Sequence, residues 1–210
     1  MEKRTNVVVL GAAGRTGRLI VAEALRSGHR VTAAVRDPAS IPPAQDLRVE
    51  RADVRDPDSL SAVVHGHDAV VCAVGPAGRT AGNLYSDGAR ATTAAMRACG
   101  VDRLLAITSV GVRHDDPHHA WWYRALIRPI GADLYADMAR MEQIVRDSGL
   151  DWTFVRPTYL QDREPTGAYR VTDNSTPKGG WRITRADVAQ FIVAELEAHR
   201  WSRQAPSLAE

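Results

Sequence analysis

The chain has 210 residues, 44% of them hydrophobic, and 27 Lys+Arg against 25 Asp+Glu give a formal net charge of +2. That length and apolar fraction suit one folded domain and exclude a disordered chain. A near-balanced charge without a long basic run gives no reason to expect nucleic acid or a membrane as partner, and no segment approaches the roughly 20 apolar residues that span a bilayer. The start of the chain passes into only a short apolar run before a glycine turn, which is not the pattern of a secretory leader. Cys72 and Cys99 read as buried free thiols, so the expected location is cytoplasmic.

Short β-rich runs alternate with helical patterns. Asn6–Leu10 and Arg30–Val35 read as strands joined by a helix over residues 16–27, which Gly28 stops. A strand over 47–52, a helix over 56–64 and a wholly apolar strand over 69–74 follow. Tyr85, Ala89, Thr92, Met96 and Cys99 then share one helical face. After a strand over 104–108, Leu134, Met138, Met141 and Val145 form the stripe of another helix, and 152–155 is a sixth strand. Beyond Pro157 the pattern loosens, then ends in a helix over Arg185–Ala198, with Thr184 as its cap and Asp187 at its positive end. Repeated β-α-β units predict an α/β fold of Rossmann type. Its doubly wound parallel sheet would take ligands at the carboxyl ends of the strands. Residues 1–210 are expected to form one NAD(P)-binding domain, with a small substrate-side lobe over about 157–183.

The turn Gly11-Ala12-Ala13-Gly14-Arg15-Thr16-Gly17 follows a strand and opens a helix, the setting in which a Gly-rich motif binds a dinucleotide. Gly11 permits the tight turn, Gly14 lets the pyrophosphate approach, and Gly17 lets helix and sheet pack closely. Ala13, Arg15 and Thr16 belong to the same cradle, whose free N–H groups face the phosphates. About 20 residues on, Arg36 offers a guanidinium fork for a 2′-phosphate and so favours NADP(H) over NAD(H), with Arg15 as a second cation. The alternative is that Arg36 is a solvated strand-end charge and Asp37 binds the ribose. Asp53 and Val54 are placed to meet the adenine edge, unless Asp53 caps the next helix. Ala73, Val74 and Gly75 line the path toward the nicotinamide.

These segments, with Gly88-Ala89-Arg90, Gly100-Val101-Asp102, Thr108-Ser109, Ser148-Gly149-Leu150, Pro165-Thr166-Gly167-Ala168-Tyr169 and Asp187, resemble the atypical, NmrA-like short-chain dehydrogenase/reductases. Residues 166–169 point to the flavin and biliverdin reductase branch. The resemblance implies hydride transfer from NADPH to a small planar acceptor such as a flavin, a quinone or a linear tetrapyrrole. Flavin would then be substrate and not a tightly held group. It also implies Ser109 as the active-site serine, Thr108 and Pro157 as cofactor contacts, and Thr158 beside the acceptor. Where the branch has a histidine, this chain has Tyr159, whose hydroxyl can donate in its place. Where the branch has a second arginine, Ser40 stands here.

The Tyr-x-x-x-Lys pair that interconverts alcohols and ketones is missing, because Ile127 and Ala139 stand four residues after Tyr123 and Tyr135. Flavin reduction needs less help, since the ring's heteroatoms share the charge and the protein mainly positions two flat rings. Trp121 and Trp122 form either an aromatic lid on the substrate or a packing contact. Residues 114–119 carry metal-ligand types at spacings that define no metal site, and read as a solvated loop. The expected function is an NADPH-dependent reductase, monomeric or homodimeric. The rival is a non-catalytic NADP(H)-binding sensor that acts through a partner protein.

Overall fold

A computed structural model describes residues 4–76, 78, 82–118 and 131–210. Along β1 (Asn6–Leu10), Val7 and Val9 enter one hydrophobic layer while Val8 and Leu10 enter the other. Successive strand side chains point to opposite faces, so a strand apolar at every position requires cover on both. β4 (Ala69–Cys72) repeats the division, with Val70 and Cys72 on one side and Ala69 and Val71 on the other. On one face lie α2 (Pro57–Val64), α3 (Leu84–Cys99) and α4 (Ala132–Arg146). On the other lie α1 (Arg15–Arg26) and α5 (Arg185–Ala198).

The remaining strands of the main sheet are β2 (Arg30–Val35), β3 (Leu47–Arg51), β5 (Arg103–Ile107), β6 (Asp151–Pro157), β8 (Arg170–Asp173) and β10 (Pro206–Ala209). The order β3-β2-β1-β4-β5-β6-β10-β8 is parallel throughout except for β8, which runs against β10. This is the Rossmann-type α/β fold, and its carboxyl edge collects the ends of β1, β2, β4, β5 and β6. No helix among the described residues is long and apolar enough to cross a membrane.

Three features depart from the sequence expectation. The chain does not end with α5, because β10 returns to the sheet beside β6 and buries Leu208 and Ala209. Pro206 stands at its first position, where a missing N–H is tolerated. Within residues 157–183, β8 joins the main sheet, whereas β7 (Tyr159–Gln161) pairs with β9 (Arg182–Thr184) in a separate two-stranded sheet. Strands of three or four residues carry too few alternations to announce themselves. The loop before residue 119 is also not simply solvated. Asp116 is buried and accepts hydrogen bonds from the Thr176 amide at 2.7 Å and its hydroxyl at 2.8 Å.

Candidate functional site

The Gly-rich turn leaves no room for side chains. A Cβ on Gly17 would sit 2.2 Å from the Gly11 carbonyl oxygen, and one on Gly11 would sit 2.9 Å from that of Ala73. Gly11 also holds φ +76°, in the left-handed region that glycine enters without strain. Gly14 caps α1 without any side-chain hydrogen bond, and no acid occupies the first helical turn. The positive end of α1 is therefore open to an anion.

Beside this turn lies a cavity of about 580 Å³, lined by Gly11, Ala13, Gly14, Val35, Arg36, Asp53, Val54, Arg55, Ala73, Val74, Gly75 and Pro76 among others. It runs across the ends of β1, β2, β3 and β4, where a dinucleotide lies in such a sheet. Arg36 is exposed on its wall and has no hydrogen bond or ion pair among the described residues. Asp37 is occupied instead, accepting a hydrogen bond from the Ala39 amide at 3.1 Å to start a short 3₁₀ turn. Asp53 accepts from the Arg55 amide at 3.0 Å, and the cap of α2 is Asp56. Tyr85 lies under Gly75. Burial, reinforced by the neighbouring Cys72 and Asp137, pushes its phenol above the ordinary range and keeps it neutral. Burial likewise raises the Cys72 thiol, which favours its protonated form.

Other residues that the sequence places at the site are committed elsewhere. The Thr108 hydroxyl donates to buried Glu142 at 2.9 Å and does not line the cavity. Glu142 is also gripped by Arg156 at 2.9 and 2.5 Å and by Arg146 at 3.0 Å. Thr158 is buried, with both its amide and its hydroxyl donating to the Leu208 carbonyl at 3.1 Å. Pro157 is buried at the end of β6, paired with Leu208. Thr16 is half-buried in the first turn of α1 and absent from the cavity lining. Trp121 and Trp122 lie outside the described residues.

Ser109 follows the end of β5 and is partly exposed. Its oxygen accepts the Gly111 amide at 3.1 Å, which leaves its proton available to a ligand. Tyr159, 66% exposed, stacks on Trp181 with ring centroids 6.5 Å apart. It borders a second cavity of about 430 Å³, lined also by Arg15, Leu160, Gln161, Asp162, Arg163 and Arg185. Arg15 turns into this second cavity and pairs with Asp162 at 2.9 Å, away from the first cavity. Residues 161–163, Arg185 and Trp181 had no motif to mark them in the sequence.

Residues 11–199 match the protein family described as NAD(P)H-binding. The chain belongs to this family. An uncharacterized chloroplastic protein of Arabidopsis thaliana is 30% identical to it over 92% of the chain and 72% of that protein. Among solved structures, a candidate NADH-flavin reductase from Streptococcus pneumoniae TIGR4 is 25% identical, with TM-score 0.77 over 98% of this chain and 99% of that one. ChuY, an anaerobillin reductase from Escherichia coli O157:H7, is 23% identical, with TM-score 0.83 over 98% and 97% of the two chains. The NAD(P)H-binding chain thus shares its Rossmann-like fold with oxidoreductases.

Proposed function

We propose that the protein is an NADPH-dependent reductase that delivers hydride to a flavin or a similar planar conjugated acceptor. The observation that carries the cofactor half is the free Arg36 guanidinium on the cavity wall beside an Asp37 already engaged by Ala39. A fork of that kind suits a 2′-phosphate, and an acid holding the ribose diol would have favoured NAD. The Streptococcus relative is named for NADH, so the preference for NADPH rests on Arg36. The acceptor half is supported by the names of the two reductases and by the missing tyrosine–lysine pair. Two free thiols among the described residues fit a reducing, cytoplasmic setting.

NADPH would supply the hydride from C4 of its nicotinamide. Gly11, Gly14 and the open end of α1 would seat the pyrophosphate, and Ala73–Gly75 would let the cofactor lie against the backbone. Ser109 would hydrogen-bond the acceptor through its available proton. Tyr159, exposed and away from the first cavity, is suited to stacking more than to proton transfer. The test is oxidation of NADPH and NADH at 340 nm with FMN as acceptor. Saturable, FMN-dependent turnover that prefers NADPH is expected. Tight NADPH binding without turnover of FMN or quinones would replace this reading by the sensor.

A further inference from the structure

The second cavity shares no lining residue with the one beside the Gly-rich turn. Its wall carries three guanidiniums, from Arg15, Arg163 and Arg185, against the single carboxylate of Asp162. Glu164 is the next residue but does not line it. Asp162 is shared by Arg15 at 2.9 Å and Arg185 at 2.7 Å. Arg163 reaches out of the cavity to Glu210, which also meets Arg182 at 3.4 Å. The cavity wall therefore holds an excess of positive charge.

The charges differ in how firmly they are held. Arg185 is 10% exposed and also donates to the Leu160 carbonyl at 3.4 Å, so it is fixed. Arg15 is 73% exposed and Asp162 58%, an open pair of the kind that contributes little and exchanges readily. An incoming oxyanion can recruit Arg15 from its open pair, whereas Arg163 would have to leave Glu210, whose side chain is 14% exposed, to Arg182. Beside them, Tyr159 and Trp181 present near-parallel rings, 18° apart in plane, to solvent. Exposed aromatic faces of this kind suit a flat ring. Arg15 directly follows Gly14 of the Gly-rich turn, and Tyr159 follows β6, the neighbour of β5.

We propose that this cavity is an anion subsite for the acceptor, taking the phosphate or carboxylate tail of a planar molecule whose ring lies toward Tyr159 and Trp181. The proposal rests on the reductase reading, from which its test is separable. Flavin fluorescence is titrated with NADP⁺-loaded protein, comparing FMN with riboflavin, which has the same ring and no phosphate. One charge-assisted contact predicts about tenfold tighter binding of FMN. Arg163→Gln should collapse that ratio and Arg163→Lys should restore most of it. Rising salt should weaken FMN and leave riboflavin alone. Equal binding of the two flavins, or binding of neither, overturns the subsite. A loss of NADPH affinity in Arg163→Gln as large as the loss for FMN would assign the charges to the cofactor and overturn it too. Turnover at 340 nm is read separately. A preserved FMN ratio without turnover would keep the subsite and sink the reductase. To distinguish phosphate from carboxylate as the natural tail, biliverdin is compared with its dimethyl ester in the same titration.

Discussion

Around the Gly-rich turn the chain shapes its cavity with backbone, whereas the segments around β6 and β8 are held in place by buried polar side chains drawn from distant parts of the sequence. Gly11 and Gly17 act by what they lack, and the contacts they permit are with backbone, of Ala73 and Val74 for Gly11 and of the turn itself for Gly17. There Asp187 binds the amides of Thr166 and Gly167, Asp116 binds Thr176, and Glu142 joins Thr108 to Arg156. The Gly-rich half is thus fixed by close backbone packing. The half around β6 and β8 depends on a few paired buried groups, where removal of one partner leaves the other stranded.

The sharpest way to break this contrast is Glu142→Ala. It leaves Arg156, paired at 2.9 and 2.5 Å in the wild type, as an unmatched buried charge. A loss of about 3–5 kcal/mol in urea unfolding is expected. A change under 1 kcal/mol would mean that water, or the Asn174 side-chain oxygen that accepts from Arg156 at 2.7 Å, already satisfies the guanidinium. Gly17→Ala should act on the other half. Its methyl would meet backbone, which yields poorly, so helix α1 must shift at a cost of about 1–3 kcal/mol. Here NADPH binding should fall more than stability does, read by titration beside thermal unfolding. An unaltered NADPH affinity would detach the turn from the cofactor.

That contrast also governs how much could be read in advance. The strands from β1 to β5 and helices α1 and α2 are legible within two residues at their ends, and α3 by the face that Tyr85 to Cys99 share, because full apolar runs and helical stripes are local signals. Thr108 and Thr158 were expected to touch ligands, yet their partners Glu142 and Leu208 lie 34 and 50 residues away. No spacing rule reveals such pairings. Asp116 looked solvated for the same reason, its partner Thr176 being 60 residues on. The residues around Asp187 are a subtler case. Thr166-Gly167 pointed by resemblance to a reductase branch, and in the structure their amides are held by this carboxylate, so part of that signature is a fold requirement.

Arg36→Ala sharpens the cofactor side without touching the fold. The exposed guanidinium has no partner among the described residues to lose, so stability should hold. The ratio of NADPH to NADH specificity should fall by about tenfold to a hundredfold, the worth of one or two charge-assisted hydrogen bonds. Measured kcat/KM for both cofactors decides it. An unchanged ratio would leave Arg36 as a solvated strand-end charge.

The smallest effect expected is the pH response of Asp187. Burial alone would raise its carboxyl, but hydrogen bonds from Thr184, Thr166 and Gly167 outweigh that and hold it below the ordinary value of 3.8. The folded state therefore favours the charged form, and the stabilisation is fully present above the unfolded pKa. It is lost as pH falls below 3.8 and through the lower, folded value. Asp187→Asn keeps one acceptor and should cost about 1 kcal/mol at neutral pH. Unfolding curves of the two proteins should then converge as the pH is lowered through that window. Parallel curves would mean that the clasp on Thr166 and Gly167 works through shape, with the charge of Asp187 contributing nothing that acid can remove.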